Sequence, residues 1–167
     1  MRRNQGGFAG TEPVAPAGGA AGGFTLIELL VAVAMAAILL VIAVPTYESY
    51  AQSAKVTAAI TDIMKISTAI GQYETVNGLT PPPNLSAIGM NGMLDPWGRP
   101  YVYLSFTGLT GKGPMRKDKN LVPINTEYDL YSVGADGQTR APLTAPVSQD
   151  DVILANDGNY IGLASKY

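Results

Sequence analysis

The chain has 167 residues and a formal net charge of −2, and only 14% of it is charged, against roughly 25% in ordinary soluble proteins. Histidine and cysteine are both absent, which excludes Cys/His zinc sites, Ser-His-Asp and Cys-His nucleophiles, haem or iron–sulfur ligation by these residues, and disulfides. Eleven basic residues against thirteen acidic ones leave no electrostatic footprint of a nucleic-acid binder, while oxygen-based metal binding stays open.

Residues 1–23 hold Arg2, Arg3, scattered glycines and a tail of small residues that can bury no core. They predict a flexible tail or a removable leader. Residues 24–44, FTLIELLVAVAMAAILLVIAV, carry one charge, Glu28, in 21 positions. At about 1.5 Å per residue such a helix covers roughly 30 Å, the hydrocarbon thickness of a bilayer, and predicts a single membrane span. The preceding arginines favour a cytoplasmic N-terminus and an exported C-terminal part. Beyond Pro45 the apolar residues Val56, Ile60, Ile63, Ile66, Ile70 and Tyr73 recur at helical spacing. Asn77-Gly78 and the run Pro81-Pro82-Pro83 stop that pattern. The expected organisation is one long helix over residues 24–76, kinked or loosened near Pro45, with an amphipathic segment at 45–80.

Residues 81–167 are expected to form a small globular domain covering the stripe. Asp95-Pro96-Trp97-Gly98 signals a turn, with strands expected at residues 100–105 and 128–133 and a weaker one at 160–163. Trp97 suits a core anchor better than a ligand platform. The basic loop at about 107–123, with Lys112, Arg116, Lys117 and Lys119, reads by default as a solvated face. The fold class is α+β, a long helix packed on a small antiparallel sheet.

Glu28 stands alone in the apolar run, where a carboxylate costs roughly 2.5–3.5 kcal/mol at the bilayer centre and is a functional hypothesis by default. Near the C-terminus, Glu127, Asp129, Asp136, Asp150, Asp151 and Asp157 face one base, Arg140. Such acids are equally a solvated turn region or hard oxygen ligands for calcium.

The stretch Gly23-Phe24-Thr25-Leu26-Ile27-Glu28 closely resembles the G|FTLIE signature of the type IV pilin-like superfamily. Leu94-Asp95-Pro96-Trp97-Gly98-Arg99-Pro100-Tyr101 and Tyr128-Asp129-Leu130-Tyr131-Ser132-Val133-Gly134-Ala135-Asp136-Gly137 resemble the major pseudopilins of type II secretion systems. The resemblance implies a pilin-like fold, cleavage between Gly23 and Phe24 by a prepilin peptidase with N-methylation of Phe24, and pairing of Glu28 with the freed Phe24 amine of a neighbouring subunit. It supports local melting near Pro45 during polymerisation. It also implies a structural calcium ion held by Asp136, Asp150 and Asp151, with backbone carbonyls near Leu130 and Val133 and with Asp157 as a rival. The leader departs from the family pattern, ending Ala20-Ala21-Gly22-Gly23 rather than in a basic stretch. The loop from Gln138 to Gln149 departs too, containing Arg140, Pro142 and Pro146.

The expected function is a structural, non-enzymatic subunit of a type II secretion pseudopilus. It would be anchored by a single pass in a bacterial inner membrane, with its globular domain periplasmic. Its expected partners are copies of itself, minor pseudopilins, the inner-membrane secretion machinery and the prepilin peptidase, and no nucleic acid. One alternative is a pilin of a surface filament for adhesion, motility or DNA uptake. Another is a membrane-anchored periplasmic enzyme using Asp136 and Asp151 as an acid/base pair.

Overall fold

The structure is a computed structural model, and it describes residues 22–167. The predicted leader therefore lies outside the described residues except for Gly22 and Gly23. The described residues divide into two units, the first ending at Ala43 and the second Val44–Tyr167. The helix α1, Leu26–Val76, contains Pro45 and is assigned without interruption across it. Proline has no amide to give to the carbonyl four residues earlier, so this is where the backbone ladder of α1 lacks a bond.

In the first unit the described residues are all exposed and almost all apolar, long enough and apolar enough by composition to cross a membrane. In the second unit α1 buries Ala59, Ile63, Ile66 and Ile70, four residues spaced at 4, 3 and 4 that make a single stripe. The helix ends as Asn77-Gly78 predicts. The Leu79 amide reaches the Glu74 carbonyl at 2.8 Å, the Asn77 side chain donates to the Tyr73 carbonyl, and Gly78 adopts φ +70°. This left-handed closure satisfies carbonyls that a helix end otherwise leaves without partners.

Four strands follow: β1 (Val102–Ser105), β2 (Tyr128–Ser132), β3 (Val152–Ala155) and β4 (Tyr160–Leu163). They form one antiparallel sheet in the order β1-β2-β3-β4. Alternation along the strands separates two cores. Leu130, Val152 and Leu154 join Tyr101 and the α1 isoleucines. Ile153 and Ala155 turn the other way, onto Ile124, Leu143 and Ala164. The sheet is also tied to α1 by polar contacts, with the Tyr101 hydroxyl donating to Asp62 at 3.1 Å and the Tyr128 hydroxyl 3.3 Å from Ser67. The architecture is α+β and pilin-like, as expected.

The expected strands shift by a residue or two at their ends, and β4 falls where the pattern puts it. Strand β3 was not expected. Its four residues are buried on both faces, so Val-Ile-Leu-Ala shows no alternation, and the two aspartates before it read as the end of a loop.

One partly buried acid carries an energetic penalty. Glu74 lines a cleft with Ser67, Glu127, Tyr128 and Asp157, and its Oε1 is buried with no hydrogen-bond partner. Desolvation, with the Glu127 charge adding to it, pushes the Glu74 carboxyl above its ordinary value. The folded chain therefore binds this proton more tightly than the unfolded chain. The penalty is present above the folded pKa and vanishes as pH falls through it. Glu74→Gln is expected to raise the melting temperature by about 2 °C at neutral pH, with the gain disappearing in a pH series run down toward the ordinary carboxylate range.

Candidate functional site

Two regions carry the predicted site residues. In the first unit, α1 begins with a reciprocal cap. The Thr25 amide donates to Glu28 Oε2 at 2.9 Å, the Thr25 hydroxyl donates to the same oxygen at 2.8 Å, and the Glu28 amide donates to Thr25 Oγ1 at 3.3 Å. This is a capping box, in which a hydroxyl residue and the carboxylate three positions later satisfy each other's backbone amides. The T-x-x-E spacing is visible in the sequence but is easily passed over when Glu28 is considered only as a lone charge. In the single chain Glu28 is thus already partnered and held at the helix start. Phe24 is 87% exposed beside it. At Gly23 an added Cβ would meet nothing within 4 Å among the described residues, so these place no demand for glycine there.

The second region is the C-terminal loop in the second unit. The turn at residues 95–98 is closed by the Gly98 amide on the Asp95 carbonyl, and Asp95 Oδ1 accepts the amides of Trp97 and Arg99. Asp95 is buried, and its other oxygen accepts from the Ser132 hydroxyl at the end of β2. The side chain that caps the turn thereby anchors it to the sheet, and Arg99 reaches out from it. Arg99 donates to the carbonyls of Gly134 and Ala135, at 2.6 Å for the first. Trp97, half-buried, packs against the helix-side core and donates to Gln52, in keeping with an anchor.

Asp136 and Asp150 come together: the Asp136 amide donates to Asp150 Oδ2 at 2.9 Å, while Asp136 Oδ1 accepts the Gln138 amide. Asp151 goes elsewhere. It is fully buried, and its Oδ2 accepts from Thr139 and from the guanidinium of Arg116. Burial pushes the Asp151 carboxyl up to about 6, against the pull of Thr139 and Arg116. Leu130 is buried in mid-β2 opposite Tyr103, and Val133 lies one residue past that strand. Asp157 is occupied separately, accepting the Thr126 amide at 2.7 Å and donating its own to Asn125. Among the described residues no three acidic side chains converge as a metal group. One oxygen of each carboxylate expected to hold calcium accepts N–H or O–H donors of the chain. Asp136 and Asp151, the proposed acid/base pair, likewise make separate contacts.

The basic loop also departs from expectation. Arg116 is 2% exposed rather than solvated, and its guanidinium lies 4.4 Å from the centroid of the Tyr131 ring. Nothing in the local pattern of lysines marked it out, because its acceptors come from residues 13 to 35 positions away.

The prokaryotic N-terminal methylation motif matches residues 20–44. The type II secretion system core protein G of Pseudomonas aeruginosa is 36% identical across 70% of this chain and 84% of its own length. The chain belongs to this family. The core protein G of Vibrio cholerae is 30% identical, again across 70% of this chain, and 82% of that protein is covered. The type IV major pilin protein PilE of Neisseria gonorrhoeae is 38% identical, but across 39% of each chain. No solved structure gives a significant match. As a core protein G relative, the chain is a member of the type IV pilin-like superfamily, and its exposed apolar helix and methylation motif fit a membrane-anchored pseudopilin.

Proposed function

We propose that this chain is the pseudopilin subunit of a type II secretion system. A prepilin peptidase releases it from its leader, and it polymerises from the membrane into a filament that drives protein export. The observation that carries this reading is the position of Glu28, a carboxylate four residues after Phe24 in a helix otherwise free of charge up to Pro45. Once cleavage frees the Phe24 amine, a neighbouring subunit can present that cation to Glu28. The pair neutralises two charges within an apolar bundle and sets the axial stagger between subunits. Small residues at positions 32, 34, 36 and 37 let helices approach closely, and the ladder gap at Pro45 lets α1 loosen while subunits repack. The N-terminus would be cytoplasmic and Val44–Tyr167 periplasmic, meeting minor pseudopilins and the inner-membrane machinery.

Mass spectrometry of the chain purified from membranes of a host with a prepilin peptidase tests the processing step. A mature chain starting at Phe24, heavier by one methyl group, is the expected result; any other N-terminus contradicts it. Gly23→Ala is expected to leave the melting temperature within about 1 °C of wild type, since none of the described residues lies within 4 Å of the added Cβ. The same change is expected to slow cleavage strongly, because a protease approaching the backbone at this point meets a side chain. Cleavage at the normal rate in that variant would remove Gly23 from the site.

A further inference from the structure

The loop that joins β2 to β3 is gathered around two cations that belong to the chain. Arg99 holds its beginning through the carbonyls of Gly134 and Ala135. Arg116 holds its middle and end: one guanidinium nitrogen donates to Thr139 Oγ1 and to the Arg140 carbonyl at 2.7 Å, the other to Asp151 Oδ2. The backbone of Arg116 is fixed as well, its amide donating to Asp129 Oδ2 at 2.6 Å and its carbonyl accepting the Ile124 amide. Asp129 in turn accepts from Asn125.

The carbonyls of Gly134, Ala135 and Arg140, and one oxygen each of Asp136, Asp150 and Asp151, thus accept N–H donors of the chain. A calcium ion needs six to eight oxygens at about 2.3–2.6 Å. Here Asp150 accepts the amide of Asp136, Asp136 accepts the amide of Gln138 in its own turn, and Asp151 accepts from Arg116. Asp151 Oδ1 is buried and without a hydrogen-bond partner, yet its carboxylate already pairs with a guanidinium whose charge opposes a second cation. Aromatic contact with Tyr131 stabilises the same guanidinium from its face.

We infer that Arg116, assisted by Arg99, is the fixed internal cation that fastens the C-terminal loop to the sheet, so that this chain holds the loop without calcium. A planar guanidinium with five donors suits the task, since it bridges several acceptors spaced along one loop. The inference concerns the loop alone and stands whether or not the chain assembles as proposed above.

The test uses the full chain in detergent micelles, with melting followed by near-ultraviolet circular dichroism of Trp97 and the tyrosines. Wild type is compared in millimolar calcium chloride and in the chelator EGTA. The two melting temperatures are expected to agree within about 1 °C, and titration calorimetry with calcium chloride is expected to give no saturable heat. Arg116→Met is expected to lower the melting temperature by about 10 °C equally in both solutions, because it strands a buried carboxylate. Adding Asp151→Asn to that variant should restore part of the loss. A calcium-dependent rise of more than about 3 °C in wild type, or saturable calcium binding, overturns the inference. So does an Arg116→Met chain that melts like wild type. The wild-type arm needs no variant and decides the calcium question even if Arg116→Met is too unstable to purify.

Discussion

Glu28→Ala is expected to be inserted in the membrane and cleaved normally yet to yield no filaments. The α-amine of Phe24 is a cation that assembly carries into an apolar bundle, and removing the partner of a buried charge costs about 3–5 kcal/mol, or roughly two to four orders of magnitude in the association of each subunit. Glu28 has a second role in the single chain, since it closes the capping box with Thr25. Glu28→Gln separates the two roles. Glutamine accepts the Thr25 amide as glutamate does, so the helix start is preserved while the charge is lost. Both variants are expected to fail in assembly, as measured by filament counts in electron micrographs after overexpression. Wild-type yield from Glu28→Gln would assign the residue to capping alone.

Gly134→Ala is expected to lower the melting temperature of the chain by about 10 °C. Gly134 has φ +65°, and a Cβ built there lies 2.3 Å from the backbone carbonyl oxygen of Asp150. The left-handed conformation alone costs an L-residue about 1–2 kcal/mol. Here a rigid backbone carbonyl is also in the way, in a segment that Arg99 and the Asp136–Asp150 contact hold in place. Gly137 meets a comparable obstacle, with the Arg99 guanidinium 2.5 Å from its would-be Cβ. The control is Gly113→Ala in the basic loop, where φ is not positive and nothing lies within 4 Å. That change is expected to alter the melting temperature by less than about 2 °C. Equal effects at both positions, read in the same thermal scan, would remove the close packing of the loop as the cause.

These two residues also mark how far the sequence is legible. The long helix, its apolar and amphipathic halves and its Asn77-Gly78 end follow from local periodicity and capping chemistry, which neighbouring residues decide among themselves. The lone Glu28 is legible for the same reason, whereas the junction at Gly23-Phe24 is what the family resemblance implies. Strand β3 and the role of Arg116 are not, because both depend on partners far along the chain. Four apolar residues buried on both faces carry no period, and an arginine among lysines looks solvated until Thr139 and Asp151 are brought to it. The aspartates at 136, 150 and 151 have the right chemistry for calcium, but which way each side chain turns is decided by tertiary packing. Asp150 reaches back to the amide of Asp136 while Asp151, its neighbour, faces the arginine.

The central claim is that the chain builds a secretion filament, and the most direct measurement is of exported protein. The gene is deleted in its native host, complemented with wild type or Glu28→Ala, and secreted protein is quantified in the culture supernatant alongside surface pili. Export is expected to fall to background on deletion, to be restored by wild type and not by Glu28→Ala, with surface pili unchanged. Normal export from the deletion strain, with surface pili lost, would contradict the account.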